Sequence, residues 1–580
     1  MSPARRPALI GRRFARALWR LIRVYWTSPD AKWGALLLAS AIGLELGTVY
    51  GNFLLSDAER QTLDALEQKQ TGAFFAAIGV FAVAMLGFTL VSALRVYLRQ
   101  QLEIRWRRGL TAHYLERWST QAYTQAELHL GEVDNPDQRI AEDVRDFVAS
   151  ALGLSLSLLS AVVTLLSFGG LLFTLSRHWP LALGGMQLQI PGLMLWVAVG
   201  YAVLSTWLTH LVGRPLVPLN FDRLRFEADF RYGLVRFRDN VEAVALSRGE
   251  DLERRGALER FRSIMGNWRE LIRAQFNLTL LTTGIGQANG VVPLLVAAPV
   301  YIAGALTFGG IAQVRFAYGQ VSGALGWLVY AYQEIARWRA NIERLASFAD
   351  VMDATAFELE NAGVRVVQAE TPLLRLDDLR LEAPDGSVLL ERANATAAPG
   401  ERIVIGGPSG TGKTILLRAL AGIWPFGQGR IEMPARASTL FLPQRPYLPL
   451  GSLRAVLSYP APEGTHTDER IIAVLRLLNL AHLEDRLGET EPWDQHLSPY
   501  EQQLVALARV LLNEPQWVFL DMATSELDEE MEKRVYALLA ERLPHSTLIT
   551  VSQRVAVETY HARRWTVAPR EHGPAVLLAA

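Results

Sequence analysis

Eight residues, Gly407-Pro408-Ser409-Gly410-Thr411-Gly412-Lys413-Thr414, constrain this chain more tightly than any other segment. Their pattern, G-x-x-x-x-G-K-[ST], needs a strand, a tight loop and the start of a helix, in that order. The flanks comply. Arg402-Ile403-Val404-Ile405 reads as a buried strand, and Ile415 to Leu420 as helix, with Gly422 as a stop. The chemistry follows from the geometry. Consecutive N–H groups of a glycine-rich loop curl around an anion, and the helix N-terminus adds its own attraction. Lys413 supplies a point charge near the outer phosphates of a triphosphate, and the Thr414 hydroxyl is placed for Mg²⁺.

The rest of the chain does not read as an ordinary soluble enzyme. Of its 580 residues, 50% are hydrophobic, and the mean hydropathy is positive. Six apolar stretches, near 33–55, 72–97, 149–175, 190–212, 277–304 and 306–334, reach the roughly 20 residues that a bilayer-crossing helix needs. No cleavable signal is read before them. The N-terminal run of Arg5, Arg6, Arg12, Arg13, Arg16, Arg20 and Arg23, interleaved with Phe14, Leu18, Trp19, Leu21 and Ile22, predicts an amphipathic helix on a membrane surface. The positive-inside rule keeps those arginines in the cytoplasm. Counting spans then puts the Arg-rich connectors 98–148 and 213–276 inside, as helical stalks, and 56–71 and 176–189 outside. Both chain ends are expected inside. Lys+Arg and Asp+Glu are 58 each, so the charge balance points to no nucleic acid partner. Without cysteine there is no disulfide and no thiolate metal site.

Asp134-Asn135-Pro136-Asp137-Gln138 predicts a helix start, with Asn135 as cap, Pro136 at the first position and Gln138 completing a capping box. Arg139 and Asp143 are spaced to pair. From about 349 the composition becomes that of a globular α/β domain, with an Asp385-Gly386 hairpin turn.

After the phosphate loop come Leu442-Pro443-Gln444 behind a short strand, Leu497-Ser498-Pro499-Tyr500-Glu501-Gln502-Gln503 opening a helix, and the strand Trp517-Val518-Phe519-Leu520-Asp521. Ser525-Glu526-Leu527-Asp528 and a last strand ending at Ser552-Gln553-Arg554 follow. In this order the chain resembles the ATP-binding cassette (ABC) transporters, over nearly its whole length. Asn135 to Val144, Ser247-Arg248-Gly249-Glu250, Gly319-Gln320-Val321 and Leu442 to Gly451 bring it nearest to bacterial inner-membrane half-transporters related to the peroxisomal acyl-CoA half-transporters. Its membrane region also resembles SbmA/BacA-type peptide-uptake proteins.

The resemblance implies an α-helical six-span transmembrane domain (31–348, after an N-terminal helix in 1–30), then an α/β P-loop nucleotide-binding domain (349–580) with a helical signature subdomain. It implies a bacterial inner-membrane protein working as a homodimer or heterodimer, with ATP and Mg²⁺ as cofactors. Residues 407–414 with Gln444 and Asp521 would hold Mg-ATP, with Thr414, Gln444 and Asp521 at the metal. Ser498, Tyr500 and Glu501 would meet the nucleotide of the opposite subunit. Asn135, Asp137, Arg139, Glu142 and Asp143 would couple the cassette to the spans.

Four departures from the family pattern stand out. Met522 occupies the place of the glutamate that polarises water, and a thioether is no base. Gln553 replaces the switch histidine. Tyr500 replaces a glycine that lets a helix N-terminus approach phosphate. Ala383 stands where an aromatic residue often stacks on adenine. Loss of a positioned base costs on the order of 10²–10⁴ in rate, so slow hydrolysis with retained binding is expected; Glu526 is near enough in sequence to be considered as a substitute base. Two other readings remain open, a non-pumping membrane regulator that responds to ATP and proton-coupled peptide uptake. The solute is open among peptides, cobalamin-like molecules and acyl compounds. Within the spans, Glu45 and Arg315 are candidates for the solute path, because ionisable groups are costly there. Gln287, Asn289 and Gln313 either line the same cavity or bond neighbouring helices. The aromatics Phe316, Tyr318, Trp327, Tyr330 and Tyr332 read as packing.

Overall fold

A computed structural model describes residues 12–128, 135–183, 186–368, 372–434, 439–570 and 573–579. The chain divides into two compact units, one drawn from Met1–Leu115 and Asn135–Ala346, the other from Glu116–Asp134 and Ser347–Ala580.

The first unit is helical. Its helices are α1 (Arg12–Trp26), α2 (Ala31–Glu67), α3 (Thr71–Leu128), α4 (Val144–Leu175), α5 (Leu193–Gly213), α6 (Leu216–Asp239), α7 (Glu250–Ile302) and α8 (Phe308–Glu360). Lipid offers no water to backbone N–H and C=O groups, and a helix satisfies them internally. Among the described residues five stretches, Ala31–Glu67, Thr71–Thr120, Pro136–Leu175, Leu193–Gly213 and Glu250–Ile302, are long and apolar enough to cross a bilayer. The sixth expected span falls in α8. That helix has ample length at 53 residues, but it is not among the five, and Gln313, Arg315 and Gln320 interrupt its apolar run. Helices α3, α7 and α8 run far beyond their apolar segments, as stalks do. Val49, Phe168, Met194, Ala198, Ala297 and Tyr318 form a common core among α2, α4, α5, α7 and α8.

Helix α1 buries Leu21 and Tyr25 while Trp19 and most of its arginines stay exposed. Tyr25 stacks on Trp106, with ring centroids 6.0 Å apart. Arg5 and Arg6 lie outside the described residues. The carboxylates at the end of α2 cap the start of α8. Asp64 Oδ1 accepts from Gly309 N–H and Glu67 Oε2 from Phe308 N–H, both at 2.9 Å, which pairs two donors a helix start otherwise leaves open. A Cβ on Gly309 would sit 2.2 Å from the Arg60 carbonyl oxygen. Gly309→Ala is therefore expected to cost about 1–3 kcal/mol, read as a lowered unfolding midpoint in detergent.

A helical turn, Pro136–Gln138, continues through a wide π turn, Arg139–Asp143, into α4. The expected capping box is not formed. Asn135 takes a left-handed backbone (φ 52°) with no side-chain cap, and Gln138 Nε2 donates instead to Glu142 Oε2 at 3.0 Å. Asp134 lies outside the described residues. The expected pair does form, with Arg139 Nη1 2.8 Å from Asp143 Oδ2. Arg344 of α8 then grips the same carboxylate through Nε (2.9 Å) and Nη2 (2.6 Å), and Asp143 is only 3% exposed.

The second unit is built on a ten-stranded sheet. Its strands are β1 (Val364–Gln368), β2 (Leu374–Glu382), β3 (Val388–Ala397), β4 (Arg402–Gly406), β5 (Gly427–Met433), β6 (Thr439–Leu442), β7 (Trp517–Asp521), β8 (Thr547–Val551), β9 (Arg563–Ala568) and β10 (Ala575–Ala579). The order is β1-β5-β2-β3-β10-β9-β4-β8-β7-β6. The run β9-β4-β8-β7-β6 is parallel, with Val404 beside Thr550 and Leu520 beside Thr550 and Leu442. Buried on both faces, β4, β7 and β8 are near-continuous apolar runs, as central parallel strands must be. The expected hairpin joins β2 to β3, with Gly386 at φ 82° and Asp385 Oδ1 accepting from Ser387 N–H. A second apolar cluster gathers the helices around α10 (Pro499–Asn513), numbered after α9 (Lys413–Leu420).

Candidate nucleotide site

Open parallel sheets present ligand sites beyond the carboxyl ends of their strands. The chain places its candidate residues there: Gly407 follows β4, Gln444 follows β6, Asp521 ends β7, and Gln553 follows β8.

The phosphate loop owes its shape to three glycines with positive φ, Gly407 (133°), Gly410 (79°) and Gly412 (92°). At Gly407 a Cβ would run into the Val567 carbonyl oxygen at 2.3 Å. At Gly410 and Gly412 it would meet nothing within 4 Å, and there the positive φ is the constraint. The first helical bond runs from Leu416 N–H to the Gly412 carbonyl. The N–H groups of Lys413, Thr414 and Ile415 are thus left facing out of the helix start. Thr411 Oγ1 donates to Pro408 O (2.9 Å), and Lys413 Nζ folds over the loop onto Gly407 O (2.8 Å) and Pro408 O (2.5 Å). Burial pushes the Lys413 ammonium below its ordinary pKa, against the pull of Asp521. Such a concave row of amides under a buried ammonium is a fitting receptor for phosphate groups.

Thr414 Oγ1 donates to Asp521 Oδ1 at 3.4 Å. Burial lifts the Asp521 carboxyl above the usual carboxylate range, while the Thr414 bond, Arg418 and Lys413 oppose the rise. A hydroxyl and a half-buried carboxylate make a hard oxygen pair that suits Mg²⁺. Gln444 is exposed, and its carbonyl accepts from Gln503 Nε2 at 3.0 Å.

Met522 adopts φ 50°, a left-handed backbone that costs a non-glycine residue about 1–3 kcal/mol and is held only by its surroundings. Its N–H donates to Val551 O (3.1 Å), and its carbonyl accepts from Ser525 N–H (3.0 Å) and Gln503 Nε2 (3.5 Å). The thioether packs on the sheet's apolar cluster. Glu526 is exposed, with its backbone N–H tied to Gln503 Oε1. Gln553 is exposed as well. The nearby His561 is half-buried. Its Nε2 lies 2.9 Å from Thr550 Oγ1 and its Nδ1 2.8 Å from Val557 O, and burial holds its pKa down.

Helix α10 opens with a reciprocal capping box between Ser498 and Glu501. Tyr500 is half-buried against the helical cluster; burial and then Asp528 raise its phenol pKa. Pro499 at the first helical position removes one N–H from that helix start.

Two organising residues were not singled out from sequence. Gln503, 1% exposed, bonds the Gln444 carbonyl, the Met522 carbonyl, Ser525 Oγ and Glu526 N–H. Arg554 holds Ser525 O and Leu527 O at 2.8 Å and pairs with Glu532. A glutamine inside the signature run was the only visible hint.

In the membrane unit, Glu45 accepts both its bonds from Arg95 Nη1, at 3.1 and 3.2 Å, and Arg315 lies 3.9 Å from Glu59. The two candidates are not brought together. Asn289 bonds Ser322, Gln313 is buried and Gln287 exposed. Phe316 packs against Phe168, and Trp327 Nε1 donates to Ser157 Oγ (3.1 Å); the Tyr330 side chain lies outside the described residues. Among the coupling residues, Asp137 and Glu142 are exposed.

A helical unit with bilayer-length helices, followed by a parallel-sheet unit carrying a phosphate loop, defines a membrane transporter fused to its ATP-binding domain. The chain belongs to the ABC transporters and is a half-transporter. Residues 21–302 match the model for ABC transporter transmembrane region 2, and residues 390–525 match the ABC transporter model. An uncharacterised ABC transporter ATP-binding protein of Synechocystis is 36% identical over 93% of this chain and 82% of its own length. The inner membrane ABC transporter ATP-binding protein YddA of Escherichia coli is 32% identical over 93% of this chain and 94% of its own. A bacterial Atm1-family ABC exporter solved with ATP bound shares the fold, with a TM-score of 0.67 at 19% identity, covering 93% of this chain and 95% of that one.

Proposed function

We propose that this half-transporter dimerises in a bacterial inner membrane, binds Mg-ATP and hydrolyses it slowly while moving a solute across the bilayer through six spans. The inner-membrane setting follows the Escherichia coli relative's name. The Arg-rich stalks put the cassette and both termini on the cytoplasmic side. Loop amides of 407–412, Lys413 and the start of α9 bind the phosphates. Thr414, Asp521 and Gln444 would hold Mg²⁺, which would supply positive charge to balance that of the phosphates. Ser498, Glu501 and their helix start face the nucleotide of the opposite subunit, with that approach blunted by Pro499 and Tyr500. The segment 135–144, clasped to α8 through Asp143, carries cassette motion to the spans.

One observation carries the reading of slow turnover. The phosphate cradle is complete, yet Met522, packed as an apolar residue, stands beside Asp521 where a base would act, and Glu526 is exposed. The same observation favours the regulatory alternative, which shares the binding step and lacks the pumping one. Lys413→Ala is expected to weaken ATP binding 10–100-fold, the value of a charge-assisted contact of about 1.5–3 kcal/mol. Filter binding of labelled ATP to protein in nanodiscs measures it; unchanged affinity would remove the cradle from the account.

A further inference from the structure

The membrane unit contains a cleft of about 240 Å³ between α5, α7 and α8. Helix α5 lines it with Ser205, Thr206 and Thr209, α7 with Thr282 and Asn289, and α8 with Ser322. No lining side chain is charged. Ser322 Oγ donates to Asn289 Oδ1 at 3.0 Å, which leaves the Asn289 amide hydrogens without a partner among the described residues. Thr206 and Thr209 make no hydrogen bond there either. Thr282 and Ser205 donate to carbonyls of their own helices, at 2.9 and 3.0 Å, and keep acceptor capacity. At bilayer depth such groups are costly unless something bonds them.

The glycines of the cleft point the same way. Gly319, Gly323 and Gly326 of α8 and Gly286 of α7 line it. A Cβ on Gly286, Gly319 or Gly323 would meet nothing within 4 Å, unlike Gly309, where backbone blocks it. Glycine inside a helix costs about 0.5–1 kcal/mol relative to alanine. Among the described residues no contact at these three positions requires that cost, and here, unlike at the open glycines elsewhere, the free space adjoins unpaired polar groups.

We propose that this cleft receives an uncharged, hydroxyl-rich head group of the transported solute. The proposal rests on the transport reading above and adds a substrate class to it. A carboxylate, phosphate or ammonium would be left unpaired at this depth, whereas hydroxyls can exchange donors and acceptors with Thr206, Thr209 and Asn289. The volume lies below the roughly 300–1,000 Å³ of sites for drug-sized ligands. It suits one group the size of a sugar ring, with the remainder of the solute outside.

The test uses the full chain in phosphatidylcholine nanodiscs, without glycoside detergent and without nucleotide. A diazirine-bearing octyl glucoside is photo-crosslinked, and labelled peptides are mapped by mass spectrometry. Labelling is expected to concentrate on 201–209, 282–289 and 319–326, and to fall at least tenfold with excess octyl glucoside but not with octanoate. Additional competition by free glucose assigns the ligand to a soluble solute; competition by octyl glucoside alone assigns it to a lipid-anchored one, and both support the site. Gly323→Leu fills the cleft and should cut labelling at least fivefold. Gly290→Leu, an open α7 glycine off the cleft, should not. Should Gly323→Leu fail to fold, Thr209→Val with Ser322→Ala removes two hydroxyls at nearly constant volume and should give the same loss. Labelling spread over all lipid-facing helices, equal competition by octanoate, or indifference to these variants would overturn the proposal. Because no nucleotide is present, either result leaves the ATP-dependent reading to stand or fall by its own measurement.

Discussion

Met522→Glu is expected to raise steady-state ATP turnover by about 10²-fold. A positioned general base contributes about 10²–10⁴, and the lower end applies because Gln553 and Tyr500 remain. The backbone makes the substitution clean. Three hydrogen bonds, to Val551, Ser525 and Gln503, hold the left-handed residue 522, and none uses its side chain. A carboxylate would therefore leave the chain from the same Cα, next to Asp521. Met522→Gln has a similar size and no basicity, and should leave turnover low. Phosphate release from reconstituted protein checks both. An equal gain for Gln and Glu would trace the effect to packing rather than to proton transfer.

The second large effect lies in the first unit. Asp143→Ala is expected to destabilise the protein by about 3 kcal/mol, the lower end for breaking a buried ion pair, because the Arg344 side chain is 40% exposed and water recovers part of the loss. The carboxylate takes three bonds, two from Arg344 and one from Arg139. Burial alone would raise its pKa, but those bonds and charges prevail and hold it below the ordinary range. A depressed folded value fixes the sign. The contribution is complete above the unfolded carboxyl pKa of about 3.9 and disappears as pH falls through the lower folded value. Asp143→Asn should remove that acid-dependent part of the unfolding curve, measured as pH is lowered from about 5 to about 2. Replacing the cluster by apolar residues, Asp143→Leu with Arg139→Leu and Arg344→Met, should recover most of the lost stability.

Sequence reasoning reached the phosphate loop, Asp521 and the hairpin at Gly386 because each is a local pattern whose backbone needs are written in adjacent residues. The bilayer-length helices were legible for the same reason, since length and apolarity suffice. The contacts that organise the site were not. Gln503 reaches Gln444 across 59 residues and Ser525 across 22, and Asp143 meets Arg344 across 201. Nothing in periodicity marks such partners. Glu45 is a similar case: its pairing with Arg95, 50 residues away, satisfies a carboxylate that the sequence presents as alone. The capping box at 135–138 failed on a backbone choice, the left-handed Asn135, which leaves its side chain out of reach of the helix start. The sixth span, 306–334, is not among those found in the described residues, because Gln313, Arg315 and Gln320 lower its apolarity; Gln313 is buried inside the unit rather than turned to lipid.

The most direct test of a cassette that grips nucleotide but lacks its base is to measure ATP binding and turnover on one reconstituted sample. Saturable, Mg²⁺-dependent binding, abolished or strongly weakened by Lys413→Ala, together with turnover well below about 1 per second, is the predicted result. Turnover of about 1–10 per second with Met522 in place, or no saturable binding at all, would contradict it.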